Sequence, residues 1–497
     1  MTQPDHDRSG HKQDGSAGKR TETDSLGPIE VPGGRLWGAQ TQRSLENFDI
    51  GRHSYVWGRP VIEAIGAVKK AAALANLDCG VLDEDRARRI VAAAEEVIAG
   101  DLDDEFPLVV FQTGSGTHTN MNANEVIAIR ANHTRIDLDR PVGTATDSDN
   151  DALLIHPNDH VNASQSSNDV FPTVMHVSLV VELRRRLYPA VDAIVDTLAE
   201  LASAHADLVK VGRTHLQDAT PITLGQEIDA WASQIRAVLA AMRVLEPNLH
   251  KLALGGTATG TGLNAPKEFA HIAVARLSEE VRVPFVVTDN HLAATAAHDA
   301  VANLSALLRT LAGALMKMGN DIRWLASGPA AGLGELTIPA NEPGSSIMPG
   351  KVNPSQIEAL TMVAAQVIGN DATVAFAATQ GNFQLNTYKP VMLHNTLDSI
   401  QLLADATNSF HQHCLVGLEP NRSRIAEHLA ANPMTVTALT PHIGYDLVAQ
   451  TIKTAEANGR PVRDIALSMT DLKPHVYDRL VDPLRLARPH HDLGTVH

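Results

Sequence analysis

Apolar residues recur at alternating steps of four and three through the middle of the chain. Leu224, Ile228, Trp231, Ile235, Val238, Met242, Leu245, Leu249 and Leu252 form one series. Val301, Leu304, Leu308, Leu311, Leu315, Met318, Ile322 and Leu325 form a second, and Leu183, Leu187, Val191, Ile194, Leu198 and Leu201 a third. This spacing draws one apolar stripe along a helix and demands a partner surface to bury it. Sustained over about 30 residues, it predicts helices about 45 Å long, and several of them predict an elongated bundle. The stripes are core packing, not a cofactor site. Long helices with more than one apolar face also pair with copies of themselves. Between the stripes lie short segments rich in Gly, Ser, Thr, Asn and Pro, where loops belong.

Composition agrees with an all-α fold. Only 4% of the 497 residues are aromatic, and alanine and leucine dominate the middle of the chain, which suits helices better than sheets. The length allows two or three domains. A formal net charge of −16 opposes a nucleic-acid partner, which needs a basic face. It also means that a site for an anion must supply local positive charge or oriented N–H groups. No run of apolar residues approaches the roughly 20 needed to span a bilayer, so no membrane span is expected. The two cysteines, Cys79 and Cys414, cannot supply the three or four thiolates an iron–sulfur cluster or structural zinc usually takes. They fit a reducing, cytoplasmic setting. Residues 1–27 are polar and mixed in charge, and read as a disordered tail.

Four polar segments exceed what turns require. Gln112-Thr113-Gly114-Ser115-Gly116-Thr117-His118 leads into a helix and reads either as an anion cradle at its N-terminus or as a Gly-rich turn with a cap. His156-Pro157-Asn158-Asp159-His160, followed by Ser164-Gln165-Ser166-Ser167-Asn168-Asp169, offers neutral donors for carboxylates, or an elaborate N-cap. In Gly212-Arg213-Thr214-His215-Leu216-Gln217-Asp218, His215 reads as an acid–base group or as a solvated loop histidine. The fourth, Gly344-Ser345-Ser346-Ile347-Met348-Pro349-Gly350-Lys351-Val352-Asn353-Pro354 with Glu358 beyond it, is the most specific. It combines a mobile backbone, paired hydroxyls and a fixed cation. Asp147–Asp151 lacks the glycine and terminal acid of a calcium loop. The Gly255–Gly262 run follows no strand and is no dinucleotide fingerprint.

In this order the four segments resemble the fumarase/aspartase superfamily, over roughly residues 28–470. The resemblance begins at Ile29-Glu30-Val31-Pro32 and Leu36-Trp37-Gly38-Ala39-Gln40 and is strongest in Gly344–Asn353. Thr214-His215-Leu216-Gln217 is most similar to the class II, iron-independent fumarases, since aspartate ammonia-lyases typically carry glutamine at His215 and alanine at Gly350. The resemblance implies three helical domains, residues 28–163, 164–422 and 423–497, with a long central bundle assembling as a homotetramer whose active sites take segments from three subunits. It implies reversible trans hydration of fumarate to L-malate, a step of the tricarboxylic acid cycle, without a cofactor or metal. Ser345 would be the base at C3, His215 would act with water on the opposite face, and Glu358 would partner that histidine. Substrate would be held by Ser115, Gly116, Thr117, Ser166, Ser167, Asn168, Thr214, Ser346, Lys351, Val352 and Asn353. His156, Pro157, Asn158 and Asp159 match a second anion site of the family.

This chain departs from the family pattern at that second site. Leu153 stands where a basic residue is common, His160 where an acid is common, and residues 133–153 are longer than usual. His118, where glutamine is common, is unexplained. Two other readings compete: an aspartate ammonia-lyase, and a superfamily member retired to a structural role as in the eye lens. The first is opposed by His215 and Gly350, the second by a complete set of candidate catalytic residues.

Overall fold

A computed structural model of the chain describes residues 18–138 and 154–488. The fold is mostly helical, and the strands occur only as five two-stranded pieces among the described residues. The chain forms two compact units, each assembled from three stretches of sequence.

The first unit comprises residues 1–185, 243–306 and 369–399. It opens with a hairpin, β1 (Lys19–Asp24) and β2 (Gly27–Pro32), in register from Lys19↔Pro32 to Asp24↔Gly27. The expected polar tail through residue 27 is therefore corrected from Lys19 onward; residues 1–17 lie outside the described residues. Apolar patterning could not reveal this hairpin, because side-chain hydrogen bonds tie it down. Arg20 donates to the carbonyls of Arg35 and Trp37, both at 2.5 Å, and Arg43 pairs with Asp24 at 2.7 Å.

Three helices follow: α1 (Ala39–Asn47), α2 (Arg59–Asp78) and α3 (Glu84–Ala99). α3 starts on Asp83, which accepts from Arg86 N, and ends on Gly100 in the left-handed region (φ 95°). α2 is the axle of this unit, and its Ala64, Ala67, Ala71, Ala72 and Ala75 are buried. Small side chains let α3, α5 (Ser167–Glu182) and α8 (Phe269–Val281) pack close around it. α4 (Thr117–Leu138) carries the first polar segment at its N-terminus.

The second unit comprises residues 186–242, 307–368 and 400–497. In it α6 (Tyr188–Ala204) is followed by the hairpin β3 (Val209–Thr214) and β4 (Gln217–Thr223), then α7 (Leu224–Leu245). Near its C-terminus, Val436, Leu439, Val448, Ala466 and Tyr477 form a small core of their own.

The apolar stripes are helices with two corrections. The first ends at Leu245, not Leu252, because Pro247 lacks the N–H to continue it and Glu246–Asn248 tightens into a 3₁₀ turn. Leu249 and Leu252 are still fully buried. The third is broken by a π-helical turn, Leu183–Leu187, ahead of Pro189. The second holds throughout: α10 (Asp299–Leu325, numbered after the short α9, His291–Ala296) buries the whole series Val301 to Leu325.

Helix α11 (Ser355–Ala378) is where the expectation about apolar runs comes nearest its limit. Among the described residues it alone is long and apolar enough to cross a membrane, by length and composition. Yet it carries Asn370 and Asp371, both buried. Asn370 donates to Asp398 and Ser399, and Asp371 accepts from Ser305. Ile357, Leu360, Ala364, Val367, Val374 and Ala377 are its buried face, while Met362, Ile368 and Phe376 stand exposed on the other.

Candidate active site

In the first unit, the cradle segment turns sharply into α4. Gly116 has φ 76°, and a Cβ there would come within 2.2 Å of the Phe171 ring, so only glycine fits. Ser115 is buried, and its Oγ lies 2.6 Å from Oγ1 of Thr117, the first residue of α4. The start of α5 is built beside it. Ser166 caps α5 by accepting from Asn168 N, and Asp169 accepts from Ser166 N, a reciprocal capping box. The segment is an N-cap, and it leaves Ser167 and Asn168 at the helix N-terminus, where N–H groups attract anions. Asn120 of α4 donates to Ser167 Oγ at 3.1 Å, which joins the two segments.

Behind them lies a layer that sequence reasoning missed. Asp169 is fully buried and accepts from Gly255 N and Thr257 N, both at 2.9 Å, so the Gly255–Gly262 run serves to hold α5. Burial raises the Asp169 carboxyl above its ordinary value. Lys69 of α2, also fully buried, donates to Gln165 at 2.9 Å and Asn162 at 3.1 Å. Burial lowers its ammonium to about 7, against an opposing pull from the Asp169 charge. A lysine inside an alanine-rich helix gives no signal of this in the sequence. Asn168 Nδ2 is tied to the carbonyl of Ala258 at 2.8 Å.

The second anion candidate lies on a π-helical turn, Pro157–Val161, capped by His156. His156, Asn158 and Asp159 are exposed and Pro157 is partly so. His156 Nδ1 faces Asn158 N and Asp159 N at 3.3 and 3.2 Å and the Asp159 carboxylate at 3.1 Å. His160 Nδ1 accepts from His156 N at 2.8 Å, so the unusual histidine closes the turn on itself. Leu153 and most of the long segment before it lie outside the described residues.

In the second unit, β3 and β4 are joined by His215 and Leu216 alone. Both adopt left-handed backbone (φ 57° and 59°), the geometry of a two-residue turn whose twist matches the strands. Thr214 and His215 are exposed at this tip. The Ser345 loop is pinched shut at its neck. A Cβ on Gly344 would fall 1.9 Å from the carbonyl oxygen of Lys351, and Asn353 Nδ2 donates to the Gly344 carbonyl. Within the loop, Ser345 Oγ accepts from Ile347 N (3.3 Å) and Met348 N (3.1 Å). Ser346, Lys351 and Val352 are exposed along its rim. Glu358 stands exposed in the first turn of α11. Among the described residues, no hydrogen bond joins His215 to Glu358 within one chain.

The candidates thus fall into two sets, a hydroxyl–amide cradle in the first unit and a histidine tip with a serine loop in the second. Such parts are those of a lyase acting on a carboxylate. The family of lyases matches residues 27–369, and the fumarase C C-terminal family matches residues 436–488, the small core described above. A class II fumarate hydratase of Thermus thermophilus is 56% identical over 471 residues, covering 95% of this chain and 99% of that protein. One from Thermosynechococcus vestitus is 54% identical over 93% of this chain and 96% of its own length. The crystal structure of a class II fumarase from Schistosoma mansoni superposes with a TM-score of 0.90 at 40% identity, covering 95% of this chain and all of that one. The chain belongs to the class II fumarate hydratase family.

Proposed function

We propose that this chain hydrates fumarate to L-malate reversibly, and that the observation carrying the reading is the pair of N–H groups on Ser345 Oγ. A serine oxygen must bear negative charge to act as a base, and two backbone donors favour the charged form. In the malate-to-fumarate direction, Ser345 breaks the C3–H bond. The electron pair moves into the adjacent carboxylate, giving an aci-carboxylate with one more negative charge. The C2–O bond then breaks on the opposite face, and His215 delivers the proton that lets the oxygen leave as water.

Binding both carboxylates of fumarate equally in ground and transition states gains no rate; donors aimed at the developing charge do. Lys351, Ser346, Asn353, Thr214, Ser115, Thr117, Ser167 and Asn168 are assigned this grip, with Gly116, Ser166 and Val352 contributing backbone and Glu358 orienting His215. These groups reconcile an anionic substrate with a chain of net charge −16: the favourable field is local. His156, Pro157, Asn158 and Asp159 are assigned a second, non-catalytic anion site.

A homotetramer follows from the same reading, with His215 and Ser345 serving sites completed by other subunits. The exposed Met362, Ile368 and Phe376 on α11 support it, because an apolar face of that size demands cover. Three domains, 28–163, 164–422 and 423–497, and a cytoplasmic setting belong to the proposal as well. Both cysteines being free accords with the latter.

The test is direct. Purified protein with chelator and no added metal is given fumarate, and the loss of its ultraviolet absorbance is followed. Steady loss supports hydration. No loss overturns it, and loss only with ammonium present assigns the aspartate reaction instead.

A further inference from the structure

The tip carrying His215 has an unusual problem. Two successive left-handed residues, neither of them glycine, are strained, and at the exposed tip only the Thr214↔Gln217 pairing flanks them among the described residues. The restraint comes from below. Arg213, two residues before His215, turns inward and donates to Glu335 Oε1 at 2.5 Å. Lys210, at the base of the same strand and almost fully buried, lies 3.3 Å from Glu335 Oε2 and 3.0 Å from Glu227. His428, on α12 (Arg422–Ala431), meets Glu335 Oε1 at 2.8 Å. One buried carboxylate therefore receives three basic side chains, two of them from β3.

Its backbone is fixed as firmly. Glu335 N donates to Leu325 O at the end of α10, and Asn421 N donates to Glu335 O at 2.9 Å. On the far strand, Asn432, just past α12, donates to the Ala219 carbonyl at 2.8 Å. Burial would push the Glu335 carboxyl up; the Arg213 hydrogen bond, the Lys210 charge and His428 outweigh it and hold it below the usual range.

The hub also fixes register. A β-bulge lies between Val211 and Arg213, where the pairing could slip, and a one-residue slip would turn Arg213 outward and reorient the tip. Without its acceptor, Arg213 would be a half-buried cation drawn to water, and the bulge is where the strand would give.

We infer that Glu335, with Arg213 and His428, is a positioning centre that sets the direction of His215 from across the hairpin, so that a helix far along the chain governs the chemical step. The inference rests on the hydratase reading for its kinetic arm only. The test uses the full-length assembled enzyme in three variants: Glu335→Gln, the milder His428→Ala, and Arg463→Ala as a control. Arg463 pairs with Asp478 on the surface of the C-terminal core and touches no part of the hairpin. Misplacing a catalytic group by a fraction of its reach costs roughly ten- to a hundredfold. His428→Ala is therefore expected to lower kcat about tenfold with KM for fumarate changed less than about threefold, while Arg463→Ala leaves both unchanged. Amide hydrogen exchange over residues 213–218 should quicken about tenfold in His428→Ala and Glu335→Gln, and not in the control. Unchanged exchange in the hairpin overturns the proposal, as does a loosened hairpin with wild-type kcat. If the unmodified enzyme leaves fumarate untouched, the hydratase reading fails, and exchange alone still decides whether the hub holds the tip.

Discussion

At the scale of single residues, the chemistry rests on groups held by backbone. Ser345 Oγ sits under two N–H donors, a small oxyanion-type cradle that exists before substrate arrives. Replacing it by alanine removes the proposed base and little else, because the side chain makes no other bond among the described residues. Ser345→Ala is expected to lower kcat by at least about a thousandfold, with circular dichroism and assembly size unchanged. Wild-type-like turnover in that variant would remove serine from the mechanism. Buried cations lead to a second residue-scale expectation. Lys389 is fully buried with no hydrogen-bond partner for its ammonium among the described residues, and burial lowers it to about 7, as it does Lys69. Unfolded, each holds its proton up to about pH 10.4. Between about 7 and that value the unfolded chain binds more protons, so these lysines make stability rise with pH. Lys389→Met should therefore show a smaller gain in thermal midpoint from pH 7 to pH 9 than the wild type.

At the scale of elements, the sequence was legible where the signal is local. The stripe Val301 to Leu325 predicts α10 because every fourth or third residue reports on one face. The serine loop was legible because glycine, proline, serine and lysine in one short run leave few bland readings. What escaped depends on partners far apart in the chain. Glu335 stands 122 residues from Arg213 and 93 from His428, and nothing in its immediate neighbours marks it as a hub. Lys69 looks like any solvated lysine until its face of α2 is seen to be buried. The β1–β2 hairpin escaped for the opposite reason, since it alternates polar residues and is held by arginine reaching carbonyls. The loop neck gives an element-scale test. Gly344→Ala places a methyl where the Lys351 carbonyl now stands, so the neck must open. Activity is expected to fall at least tenfold, with the thermal midpoint moving by a few degrees at most, since the loop is exposed. Normal turnover would show that the pinch is dispensable.

At the scale of the whole molecule, the unpartnered face of α11 is the leading feature. Met362, Ile368 and Phe376 are 67%, 42% and 61% exposed, an apolar face that the proposed tetramer would cover. In the first unit, Phe376 also lines a cleft with Phe111, Tyr388 and Val391. Phe376→Asp would set a charge in a dry interface, at a cost of several kcal/mol per subunit. Light scattering should then find species smaller than the proposed tetramer, and turnover should fall with them if sites are completed between subunits. A tetramer of normal mass would place the interface elsewhere. The C-terminal core and the hairpin it grips add a second long-range dependence, because changes near residue 428 reach the chemistry without touching substrate.

The pinched neck of the Ser345 loop has a thermodynamic consequence. A loop open at its base must lose conformational freedom each time it folds over a ligand, and that loss subtracts from affinity. Here Gly344 against Lys351 and the Asn353 amide have already joined the two ends. What remains for substrate to organise is the orientation of a nearly closed ring, not the ordering of a free strand. Calorimetry should accordingly find fumarate binding less opposed by entropy in the native loop than in Asn353→Ala, where the ends are released.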